Sequence, residues 1–114
     1  MKKKIFFIGS CDKGNNLLAK VKLIIKYDDE VILKKPSMRM YVISISFLKK
    51  HTFKELKDQG LHLPFYQRSG TNWNITCYTT DTLRKEIERL QKIGITIPDI
   101  HKNFGLQDFL AQLV

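Results

Sequence analysis

Three groups of residues in this 114-residue chain have the types and spacing to do chemistry. Lys20, Lys22 and Lys26 fall at even intervals, so on an extended segment they project from one side as a cationic row, and Lys34, Lys35 and Arg39 follow closely. Ammonium groups so aligned attract polyanions, and the phosphate backbone of a nucleic acid is the commonest of these. The second group is aromatic. Phe65, Tyr66, Arg68, Trp73 and Tyr78 share a short span with Gln67, Asn72 and Asn74. Rings stack on unpaired bases at about 1 to 3 kcal/mol each, and amides pair with base edges. The bland alternative is that strand-borne rings pack in the core or at its rim. The third group is His51, Glu55, His62 and Arg68. RNA cleavage needs a base for the 2′-hydroxyl, a general acid and a cation facing the phosphorane, and these four could supply them. Against this, His51, His62 and His101 fall in different elements with no metal-ligand spacing, as scattered surface polar residues do.

Two segments imitate motifs. Gly9 to Asn16 follows a strand-like run and has two glycines at the spacing of a phosphate-binding loop. That loop needs Lys and then Ser or Thr after its second glycine, where this chain has Asn15 and Asn16. A turn with positive φ is the expectation there. Lys2-Lys3-Lys4 followed by Ile5, Phe6, Phe7 and Ile8, then Gly9-Ser10-Cys11, imitates a secretory signal. The apolar run stops after four residues where a signal needs about 7 to 15, so it reads as a first core strand. Nothing approaches the roughly 20 apolar residues that span a bilayer. The expectation is a cytoplasmic chain without membrane insertion. Cys11 and Cys77, too far apart for a disulfide framework or a metal knuckle, are expected as reduced thiols.

The elements that must position these residues begin with an ambiguous one. Between residues 16 and 27, Leu17, Leu18, Val21, Ile24 and Ile25 would line one side of a helix. As a strand, Ala19, Val21, Leu23, Ile25 and Tyr27 alternate with the lysines. Asp28-Asp29 forms a turn-like pair before residues 30–33, and no glycine caps a helix after Tyr27, which favours a hairpin over residues 21–33. Residues 39–47 are the clearest strand, with Tyr41, Ile43, Ile45 and Phe47 on one side and Met40, Val42, Ser44 and Ser46 on the other. Thr52 and Glu55 fit a capping box for a helix of about two turns ending near Gly60. Residues 64–70 read as a loop and 72–79 as a late strand. Leu83, Ile87, Leu90 and Ile93 stripe a helix capped by Thr80 or Asp81, supported by a Glu88–Lys92 pair and ended by Gly94. Leu106, Phe109, Leu110 and Leu113 suggest a last short helix.

Length implies one domain over residues 1–114. With 43% apolar, 27% charged and 11% aromatic residues, the chain is too hydrophobic for disorder. Strands come first and helices later without regular alternation. That order predicts an α+β fold: a curved, mostly antiparallel sheet or partial β-barrel with about three short helices. A small α/β sandwich with a βαβ start is the alternative if residues 17–25 are helical.

The net charge is +9, and all of it lies in residues 1–54, where thirteen basic residues face four acids; residues 55–114 balance at seven each. Sixteen Lys, four Arg and thirteen Ile suit A+T-rich coding, as in a low-GC bacterium or mobile element. Such bias explains abundance but not segregation. The expected function is that of a non-enzymatic regulator that binds nucleic acid. RNA is preferred over duplex DNA because no basic recognition helix, zinc finger or basic zipper is present. The lysines would track phosphates, with Tyr66, Arg68 and Trp73 near bases. A basic surface docking an acidic protein is the alternative, and an endoribonuclease a more distant one. No cofactor or metal is implied.

Overall fold

Between Asn16 and Tyr27 the strand periodicity prevails, because both edges of that segment find partners. The structure, a computed structural model, describes residues 2–27 and 40–98. β1 (Lys2–Lys13) and β2 (Asn16–Tyr27) form an antiparallel hairpin, and β3 (Met40–Phe47) pairs with the other edge of β2. With β2 enclosed on both sides, the expected hairpin over residues 21–33 is replaced by one closing between Lys13 and Asn16. Residues 28–39 lie outside the described residues. The turn is Gly14-Asn15 with Gly14 at φ 61°, the first-position glycine of a II′ turn, so the glycine-rich segment is hairpin and not phosphate loop.

After β3 come α1 (Phe53–Asp58), β4 (Gln67–Ser69), β5 (Asn72–Cys77) and α2 (Thr80–Lys92). The sheet runs β1-β2-β3-β5-β4, antiparallel throughout, with β1 and β4 as its outermost strands. The α+β expectation therefore holds, with an open sheet in place of a partial barrel and no βαβ start. Two helices are present among the described residues where three were expected. The third, around Leu106 to Leu113, lies outside them. The span 64–70, expected as a loop, contributes β4, whose three residues are too few to show alternation.

One side of the sheet carries the core. Val21, Leu23 and Ile25 of β2 stand opposite Ile45, Ile43 and Tyr41 of β3, and all six are buried. Leu56 of α1 and Leu83, Ile87 and Leu90 of α2 close over them in the same cluster. Burying such side chains contributes about 1.5 to 3 kcal/mol each. Cys11 and Cys77 are free thiols within this core. Among the described residues, no helix is long and apolar enough to cross a membrane.

The helix ends follow capping chemistry. Thr52 Oγ1 accepts from Glu55 N at 3.1 Å. At α2 the cap is Thr79, not Thr80 or Asp81: its Oγ1 accepts from Thr82 N at 3.1 Å, while Thr82 Oγ1 accepts from Thr79 N at 3.3 Å. A threonine thus takes the place usually held by Glu or Gln in the reciprocal box. In place of the expected Glu88–Lys92 pair, Asp81 bridges Arg84 and Lys85, and Glu86 pairs with Arg89.

Candidate nucleic-acid interface

The side of the sheet away from the helices is built by register. Directly opposed residues in antiparallel strands share a face, so the pairings define four cross-strand rows. Lys3, Lys26 and Met40 form the first, and Ile5, Ile24, Val42 and Thr76 the second. The third is Phe7, Lys22, Ser44, Asn74 and Gln67; the fourth is Ser10, Lys20, Ser46, Asn72 and Ser69. Lys3, Lys20, Lys22 and Lys26 therefore share this outer face. Its character changes across the sheet, from cationic and apolar on β1 and β2, through Met40, Val42, Ser44 and Ser46 on β3, of which Val42 and Ser44 are buried, to amides and hydroxyls on β5 and β4.

A β-bulge helps to make this arrangement. The register slips between Phe7 and Gly9, so Phe6 packs on the core before it and Cys11 after it. Without the extra residue Ser10 would point into the core. Ser10 is in turn held by a bridge to Thr96: each N–H donates to the other's carbonyl at 2.9 Å. Gly9 makes room for it, since a Cβ there would lie 2.3 Å from Thr96 O.

Phe7 is 66% exposed and Ile5 48%, between exposed or half-buried lysines. Reading residues 5–8 as one core strand missed this. Strict alternation in the run was the available signal: Phe6 and Ile8 pack inward, and Ile5 and Phe7 do not. Among the described residues no carboxylate pairs with Lys3, Lys20, Lys22 or Lys26. Glu55 and Asp58 lie on α1, and Asp81, Glu86 and Glu88 on α2, over the opposite side of the sheet; Asp12 is the one described acid on a strand.

The other expected site residues go elsewhere. Lys34, Lys35 and Arg39 lie outside the described residues. Tyr66 and Trp73 belong to the core, which removes their rings as stacking platforms. The Tyr66 hydroxyl donates to Glu86 Oε1 at 2.8 Å, and Glu86 also receives Arg89. Burial, with the Glu86 charge second, pushes the phenol well above its ordinary range. The Trp73 Nε1 has no hydrogen-bond partner. Arg68, on β4 opposite Trp73, is exposed; its Cζ lies 6.0 Å from the indole centroid and its Nη1 donates to His51 O at 3.1 Å. Phe65 and Tyr78 remain exposed at 89% and 62%.

Of the hydrolytic set, three members come together. His51 Nδ1 lies 3.4 Å from Glu55 Oε2, and Arg68 reaches the backbone of His51. His62 packs edge-on against Phe53, and its carbonyl accepts from Arg89. A cavity of about 170 Å³ is lined by Cys11, Asp12, Lys13, Leu18, Gln59, Leu61, Ile93 and Gly94. It is smaller than typical small-molecule pockets. Burial raises the Cys11 thiol pKa, so it is held as a poor nucleophile. Among the described residues no three His, Cys, Asp or Glu side chains gather as metal ligands. Comparison with protein families, with curated proteins and with solved structures finds no match to this chain.

Proposed function

We propose that this protein binds single-stranded nucleic acid, RNA by preference, on the outer face of β1 and β2. The supporting observation is the register that aligns Lys3, Lys20, Lys22 and Lys26 around an exposed Phe7. Lys20 and Lys22 stand two residues apart on a strand, about 6.7 Å, a spacing close to that of successive phosphates along one nucleic-acid strand. Phe7, opposite Lys22, offers a stacking surface between cations, the combination that sequence-tolerant single-strand binders use. Neither described helix has the form of a groove-reading element, which favours unpaired strands over duplex.

Fluorescence anisotropy with a labelled single-stranded RNA tests the reading. Wild-type protein should bind, and a Lys20→Glu/Lys22→Glu variant with unchanged circular dichroism should bind at least tenfold more weakly, since two phosphate contacts become repulsions. Equal affinity for the two proteins would contradict it.

Exposure of Ile5 and Phe7 beside lysines also fits a second reading, an acidic protein partner whose apolar residues contact the rings. Purification without nuclease separates the two readings: co-eluting nucleic acid supports the first, and a retained acidic protein with no nucleic acid supports the second.

A further inference from the structure

We infer that the protein cleaves the RNA it binds, with His51 as the base that activates the 2′-hydroxyl and Arg68 as the cation facing the phosphate. The inference rests on the nucleic-acid reading and adds an activity at one end of the sheet. Just past Phe47, the last residue of β3, the chain still runs beside the start of β2, where Leu48 N donates to Leu18 O at 3.1 Å. Lys49 and Lys50 follow, and both are exposed. A strand whose phosphates track Lys26, Lys22 and Lys20 along β2 therefore runs toward Lys49 and Lys50 and, one residue later, His51.

Three contacts hold that histidine. Its Nδ1 lies 3.4 Å from Glu55 Oε2, its ring meets Phe47 edge-on with centroids 5.3 Å apart, and its carbonyl accepts from Arg68 Nη1 at 3.1 Å. The side chain remains 18% exposed, and Glu55 and Arg68 are exposed beside it. A proton on Nδ1 directed at Glu55 leaves Nε2 as the acceptor. Arg68 commits one N–H to the His51 carbonyl, and the rest of its guanidinium fork is able to meet non-bridging phosphate oxygens. In the step these groups support, the 2′-oxygen attacks the adjacent phosphorus, so that the O2′–P bond forms as the P–O5′ bond breaks. The 2′ proton passes to His51, which returns it to solvent, and the departing 5′-oxygen takes a proton from water. Charge building on the phosphorane faces Arg68. The products are a 2′,3′-cyclic phosphate and a 5′-hydroxyl.

The test incubates labelled single-stranded RNA with wild-type protein, His51→Ala and Arg68→Gln and identifies the fragment ends by mass spectrometry. Anisotropy with a 2′-O-methyl strand of the same sequence, which keeps the phosphates but blocks the nucleophile, measures binding in parallel. Wild-type protein should release 2′,3′-cyclic phosphate ends from the RNA and leave the methylated strand intact. Each substitution should slow cleavage at least about a hundredfold, and His51→Ala should change affinity for the methylated strand less than twofold. Arg68 is exposed on a three-residue strand, so its variant keeps the test valid should His51→Ala fail to fold. Binding without cleavage, or cleavage that both variants retain, overturns the activity and leaves the cationic face standing. Failure of wild-type protein both to bind the methylated strand and to cut the RNA overturns both.

Discussion

Phe7 and Tyr66 show how differently two aromatic side chains of one chain can be employed. Phe7 is two-thirds exposed and makes little contribution to the core, so Phe7→Ala should change the unfolding free energy by no more than about 0.5 kcal/mol. RNA affinity should fall by about 1 to 3 kcal/mol, the worth of one stacked base, as measured by anisotropy. Tyr66 is buried and donates to Glu86. Its phenol is held protonated far above the ordinary value of 10.0, first by burial and then by the Glu86 charge. The unfolded chain loses that proton near pH 10 and the folded chain does not. Tyr66 therefore contributes stability that is complete below pH 10 and declines as pH rises beyond it. Denaturant melts of wild-type protein and Tyr66→Phe from neutral to strongly alkaline pH should show a steeper alkaline loss in wild type. Parallel curves would remove Tyr66 from that role. Composition could not separate these two rings. Burial of Tyr66 depends on α2 placing Glu86 beside it, a contact twenty residues away in sequence.

At the scale of elements, alternation of residue type was legible wherever a strand is long, even in β3, where Val42 and Ser44 on the outer side are also buried. β3 reads correctly residue by residue, with Tyr41, Ile43, Ile45 and Phe47 inward. The lysines of β2 gave its outer side for the same reason. β4 was not legible, because three residues carry no period, and neither was the bulge at Ile8, which inverts the sidedness of β1 and sets Ser10 on the outer face. Local sequence contains no signal for a register that depends on the partner strand. The neighbouring Gly9 gives a test of that geometry. A methyl group there meets Thr96 O at 2.3 Å and the Ile97 side chain at 2.9 Å, so Gly9→Ala must part the Ser10–Thr96 bridge or shift β1. Thermal or chemical unfolding should show a loss of about 1 to 3 kcal/mol, the range for overpacking a close-packed site. An unchanged midpoint would mean that the bridge is not needed to hold β1 in place.

Across the whole molecule the carboxylates, though not the cations, are separated by layer, since the helices also carry Lys54, Lys57, Arg84, Lys85, Arg89 and Lys92. Five of the six described carboxylates lie on the two helices, while the outer face of the sheet carries Lys3, Lys20, Lys22 and Lys26. The segregation of charge along the sequence, +9 in the first 54 residues, foreshadowed this, because the strands come first and the acid-bearing helices later. What sequence alone misplaced was the aromatic half of the site: Tyr66 and Trp73 support the core, and Phe7 stands beside the lysines instead. A surface that works by releasing counterions from phosphates has a quantitative signature. The logarithm of the association constant falls linearly with the logarithm of salt concentration, by about 0.7 for each phosphate neutralised on a single strand. Titrating labelled single-stranded RNA across a sodium chloride series is the decisive measurement. Four lysines in contact predict a slope of about −2.8, reduced to about −1.4 in Lys20→Ala/Lys22→Ala. A wild-type slope near zero, or one that the double variant leaves unchanged, would show that this face does not bind the phosphate backbone.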